Sequence, residues 1–159
     1  MGPVDLWPHQ VEAVKNLGNG CILTGKPGSG KSVVALQYYV ERVLKVRHPA
    51  DLGRRLAEGP RLVIITTARK RDDLDWQGDV AMYGLTHYTT VDSWNNISNY
   101  RNIRDSFILD AREISPAFFS ARAMLFRARY SVVLMPQALA ISTSDMPWAL
   151  SLSLSARKP

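Results

Sequence analysis

Residues 25–32 read GKPGSGKS, and this stretch decides the fold. Its pattern is G-x-x-x-x-G-K-S, with Gly25, Gly30, Lys31 and Ser32 at the fixed positions and Lys26, Pro27, Gly28 and Ser29 between them. Glycine at this density lets the backbone curl until successive amides point at one anion. Such a loop holds phosphate when a buried strand enters it and a helix leaves it, because the helix N-terminus adds a partial positive charge. Both flanks fit. CILT (21–24) is a short apolar run, expected as a buried strand. SVVALQYYVERVLKV (32–46) is apolar around most of its circumference, as expected of a helix lying on a sheet. In that setting Lys31 is expected to reach the β- and γ-phosphates of a nucleotide, and Ser32 to take a place on Mg2+. A nucleotide and Mg2+ are therefore the expected ligands.

Working outward, PHQVEAVKNL (8–17) places Val11, Val14 and Leu17 at helical spacing, with Pro8 suited to a first turn. Residues 48–60 carry Pro49, Gly53, Gly59 and Pro60 and read as a connection with one helical turn. RLVIITT (61–67) is the clearest strand, and most of the stretch from Arg69 to Gly84 reads as helix. THYTTVD (86–92) has the β-branched and aromatic content of a strand. A polar link with a helical turn or two follows, then the strand SFILD (106–110). Strand, loop and helix in repetition predict an α/β fold, a parallel sheet with helices on both faces. Asp110 ends its strand where the second element of an ATP site, an acidic residue placed to hold Mg2+, belongs; a turn-capping aspartate is the other reading of it.

The chain has 159 residues, about one domain, and carries a net charge of +6. That charge permits an anionic partner as well as a merely basic surface. Cys21 is the only cysteine and lies in an apolar run, so it reads as a core residue in a protein of a reducing cytoplasm. No run approaches the 18 or so apolar residues of a membrane span, and no membrane association is expected.

Taken in order, residues 5–110 resemble the first RecA-like domain of a superfamily-2 DNA helicase, of the phage-encoded branch related to chromatin-remodelling translocases. LWPHQVEAV resembles the upstream glutamine motif, and GKPGSGKS is similar to motif I. VIITTARKRDDLDWQGDV resembles motif Ia, TTVDSWNNISNY the next DNA-contacting segment, and SFILDARE stands where motif II belongs. The resemblance implies a P-loop NTPase of the RecA-like kind, with ATP as nucleotide and DNA as partner. It implies that Gln10 contacts adenine, that Lys31 and Asp110 are the catalytic pair, and that Ser32 and Asp110 hold Mg2+. It also implies DNA-backbone contact by Thr67, Arg69, Lys70, Ser93, Trp94 and Asn95, in the host-cell cytoplasm if the chain is phage-encoded. Read from the residues alone, Arg69 and Lys70 are equally a solvated helix start balanced by Asp72, Asp73 and Asp75, and Trp94 either stacks on a base or covers the domain edge.

Two departures qualify the likeness. The family's motif II has Glu directly after Asp, whereas here the residues are Asp110, Ala111, Arg112 and Glu113. A positioned base contributes about 10²–10⁴-fold, so hydrolysis is expected to be slow. The second RecA-like domain, which would supply an arginine finger and close on the strand, is not in the chain and would have to come from a partner. Whether this chain is an enzyme is left open by these two points, and the alternative is a non-motor P-loop module that uses ATP as a ligand in regulation or assembly. Residues 111–159 form the second region, a basic tail rich in Ala and Ser. It lacks glycine, although all ten glycines precede it, so the RecA-like sheet is expected to be incomplete. A changed reading frame and a divergent domain end both account for that tail. YSVVLM (130–135) is its one candidate strand.

Overall fold

A computed structural model describes residues 4–19, 21–26, 28–100, 105–111, 131–136 and 151–154. Among these residues six strands form one sheet: β1 Ile22–Gly25, β2 Arg61–Thr66, β3 Thr89–Ser93, β4 Ser106–Ala111, β5 Ser131–Pro136 and β6 Ser151–Leu154. Their order is β3-β2-β4-β5-β1-β6, and every pairing is parallel. The helices are α1 Pro8–Asn16, α2 Lys31–Tyr38, α3 Leu52–Glu58, α4 Ala68–Asp72 and α5 Gln77–Met82. The expected α/β fold with a parallel sheet is present.

β2 explains why the sheet buries both faces. Leu62, Val63, Ile64, Ile65 and Thr66 are all buried, so no residue of this inner run after Arg61 faces water. Leu62 and Ile64 join Phe107 and Leu109 of β4 in the main core. Over them pack Ala13 and Val14 of α1, Val34, Ala35, Leu36, Tyr38 and Tyr39 at α2, Leu56 of α3 and Val80 of α5. The rings of Tyr38 and Tyr39 meet Phe107 at 6.0 and 5.5 Å between centroids. The opposite face carries Val63, Ile65 and Ile108, covered by Trp94, Ile97 and Tyr100. Helices were expected on both faces; among the described residues four helices cover one face and a 3-10 segment, Trp94–Tyr100, covers the other.

Several local expectations are corrected. The helix read over 32–46 is α-helical to Tyr38 and then widens into a π turn over Tyr39–Val43, ending with Lys45 at a φ of 58°. The helix expected after Arg69 is two short ones, because the intervening turn sets Leu74 at a φ of 60°. Residues 86–88 form a 3-10 turn before β3, and 48–60 contains the two-turn helix α3. The tail contributes two strands to the same sheet. β5 lies between β4 and β1, and β6 extends the edge beyond β1. The sheet expected to be incomplete is thus continuous from β3 to β6, and Ser-Leu-Ser-Leu at 151–154 is a strand that the sequence reading did not find.

Candidate phosphate-binding site

The glycine-rich loop joins the carboxyl end of β1 to the first turn of α2, as the flanking sequence predicts. Gly28 and Gly30 take φ values of 76° and 75°, the left-handed region that a β-carbon disfavours. Gly30 caps α2, its carbonyl accepting from Val34 N at 3.0 Å. Lys31 folds back across the loop. Its Nζ donates to the carbonyls of Gly25 and Lys26 at 2.8 and 2.9 Å, which places an ammonium over the start of the loop. Ser29 is 4% exposed, and its Oγ is buried with no hydrogen-bond partner among the described residues. A buried hydroxyl without a partner costs about 1–3 kcal/mol, a cost that an oxygen-rich ligand at the loop would remove. Pro27 lies outside the described residues.

Gln10 is brought to the loop by α1. It is buried, and its Oε1 accepts from Trp7 N at 2.9 Å, closing the open start of the helix. Its Nε2 lies so close to Gly30 that a β-carbon there would collide with it. The amide therefore abuts the glycine-rich loop, with Trp7 beside it at 59% exposure. Tyr83 pins the other side of α2, donating from its hydroxyl to Val33 O at 3.2 Å, one residue after Ser32. Burial, reinforced by the charges of Asp79 and Glu41, raises the Tyr83 hydroxyl well above its ordinary value, so it stays a donor.

Asp110 sits at the same end of the sheet but not beside the loop. β4 is separated from β1 by β5, about 10 Å at two strand spacings. The register runs from Asp110 through Val133 to Ile22, three residues before Gly25, and β4 continues to Ala111. Lys31 and Asp110 thus share the carboxyl side of a parallel sheet, where open α/β folds bind ligands.

The segments expected at DNA are α4 and the residues after β3. Thr67 caps α4, accepting from Lys70 N at 3.3 Å. Arg69 is exposed and pairs with Asp73 at 3.4 Å. Ser93 is buried, with its hydroxyl accepting from Arg71 Nη1 at 3.2 Å. Trp94 packs half-buried on the second face of the sheet, whereas Asn95 is exposed.

The residue that organises this region is Asp92, which sequence reasoning passed over. Its Oδ1 accepts from Ser93 N at 2.6 Å and Asn96 Nδ2 at 2.8 Å, and its Oδ2 from Tyr100 OH at 2.8 Å. Arg71 Nη1 stands 3.6 Å away and its Nε donates to Asp72 at 2.8 Å. Burial opposes ionisation of Asp92, but the hydrogen bonds from Asn96, the Ser93 amide and Tyr100, together with the Arg71 charge, outweigh it and hold the carboxyl below the usual range. Burial and the bond to Asp92 push the Tyr100 hydroxyl up to about 12. The available signal was a strand-end Asp followed four residues later by Asn, the pattern of a side chain that caps its own turn.

Neither a protein-family model nor a curated protein sequence matches this chain. No helix among the described residues is long and apolar enough to cross a membrane.

Proposed function

We propose that this chain is the ATP-binding, RecA-like half of an ATP-dependent DNA helicase or translocase. The observation that carries the reading is the loop itself. A strand end, two glycines in the left-handed region, a lysine drawn across the loop and a helix start occur in the order that phosphate binding needs. The unpartnered Ser29 hydroxyl supports it further, since an anion's oxygens fit a buried donor.

In this reading Lys31 exchanges its hold on the Gly25 and Lys26 carbonyls for phosphate oxygens, and Gln10 and Trp7 line the side of the loop nearest the base. Ser32 and Asp110 are the residues that would hold Mg2+, whose role is to neutralise charge on the transferring phosphoryl group. Thr67, Arg69, Lys70 and Asn95 face the DNA backbone from the carboxyl side of the sheet.

A second reading, a non-motor nucleotide-binding module, is favoured by two observations. Ala111 follows Asp110 where an acid would position water. Arg71 and Ser93 spend their hydrogen bonds inside the protein. ATP hydrolysis by the purified chain, measured with and without single-stranded DNA, separates the two. Stimulation of at least several-fold supports the motor half; slow hydrolysis indifferent to DNA supports the module.

A further inference from the structure

The charge of this protein is not confined to the side of the sheet that the helicase reading uses. On the carboxyl side of the sheet the arginines among the described residues are matched. Arg69 pairs with Asp73, and Arg71 with Asp72 and Asp92. The opposite pole, at the amino ends of the strands, is different. There α1 and α2 end and β2 begins, so the chain gathers Lys15, Arg42, Lys45, Arg47 and Arg61. All five are exposed, and none forms an ion pair among the described residues. The carboxylates at this pole, Glu41, Glu58 and Asp105, are fewer, and Asp51 is taken by Arg54 at 3.6 Å.

The pole is held as one surface. Arg42 Nη2 donates to Lys15 O at 3.3 Å, joining the end of α1 to the end of α2. Tyr39 OH donates to Pro60 O at 2.5 Å, joining the π turn to the residue before Arg61. Arg61 in turn donates from Nη2 to His87 O at 3.4 Å, and its amide bonds Asp105 O at 3.1 Å. Helix dipoles account for Lys15, Arg42 and Lys45 near two helix C-termini. They do not account for Arg47 and Arg61, which lie beyond a helix and at a strand start.

We propose that this amino-terminal pole binds the phosphate backbone of nucleic acid, without regard to sequence and on the side of the sheet away from the phosphate loop. Three of the five cations are arginines, whose planar fork suits phosphate oxygens. Of the exposed large apolar side chains among the described residues, Trp7, Val11, Leu74 and Met82, Met82 lines a groove with Arg47, and one such side chain does not make a lipid-inserting surface. Backbone contact of this kind is salt-dependent, with a log–log slope of about −0.9 per duplex phosphate neutralised.

The test is fluorescence anisotropy of the full chain with a mixed-sequence 20-base-pair duplex, over a salt series. The comparison is between Lys15→Gln/Lys45→Gln/Arg47→Gln, whose side chains make no hydrogen bond or ion pair among the described residues, and Arg69→Gln/Lys70→Gln. A third variant, Arg42→Glu/Arg61→Glu, reverses the two bonded arginines, and its binding of a fluorescent ATP analogue reports that it is folded. The pole variants are expected to lose tenfold or more in duplex affinity and about two in salt slope, a loss separate from and larger than that of Arg69→Gln/Lys70→Gln. Loss confined to Arg69→Gln/Lys70→Gln would overturn the proposal and return DNA to the carboxyl side. Binding of anionic vesicles or polyglutamate with no duplex binding would also overturn it, as would binding of none of these.

Discussion

The side-chain amide of Gln10 lies against the α-carbon of Gly30, in space that any β-carbon at position 30 would need. Gly28 has nearly the same φ, yet nothing lies within 4 Å of its missing β-carbon. The two glycines therefore separate backbone strain from collision. Gly28→Ala is expected to cost about 1–2 kcal/mol, the left-handed penalty alone. Gly30→Ala is expected to cost that and about 1 kcal/mol or more besides, and Gln10→Ala in the same chain to recover most of the excess. Urea midpoints of the single and double variants measure this; equal costs at both glycines would contradict it.

Asp92 gives the protein an acid-sensitive element. Its carboxyl is held below its unfolded value of about 3.9, so its stabilisation is complete above that pH and is lost as pH falls through the lower folded value. Tyr100 works in the other direction. Its hydroxyl is raised to about 12, so its contribution is complete below about pH 10 and is lost as pH rises from there to 12. Asp92→Asn keeps one acceptor but sets an amide N–H against the Tyr100 hydroxyl, an expected loss of about 1–3 kcal/mol at pH 7. The variant should also show a shallower fall in stability below pH 4. Thermal unfolding between pH 3 and 7 checks both, and a wild-type slope in the variant would contradict the assignment.

Phe107 is fully buried and touches both Tyr38 and Tyr39 across the sheet–helix interface. Phe107→Ala should cost about 3–5 kcal/mol, comparable to much of a domain's stability. Phe107→Leu, which keeps the apolar contact, should cost less than half as much. Chemical denaturation orders the two.

The elements that the sequence displayed are those whose burial dictates their composition. β2 is apolar at every position from Leu62 to Ile65 because both of its faces are covered, and the glycine-rich loop is legible because its geometry needs glycine at fixed places. What escaped depends on contacts remote in sequence. Leu74 breaks one helix into two by taking a φ that no residue type announces, in a turn fixed by the burial of Trp76. β6 is only four residues of Ser and Leu, and becomes a strand by pairing with β1, more than a hundred residues earlier. Asp92 was overlooked because one aspartate at a strand end says nothing of the three donors that the next turn folds back onto it.

The central claim is that the loop from Gly25 to Ser32 binds nucleotide phosphate. Titration of the purified chain with a fluorescent ATP analogue and Mg2+, beside Lys31→Ala, tests it most directly. Micromolar binding by the natural chain, weakened at least tenfold in Lys31→Ala with the fold intact by circular dichroism, is the predicted result. Equal binding by both folded proteins, or binding by neither, would contradict it.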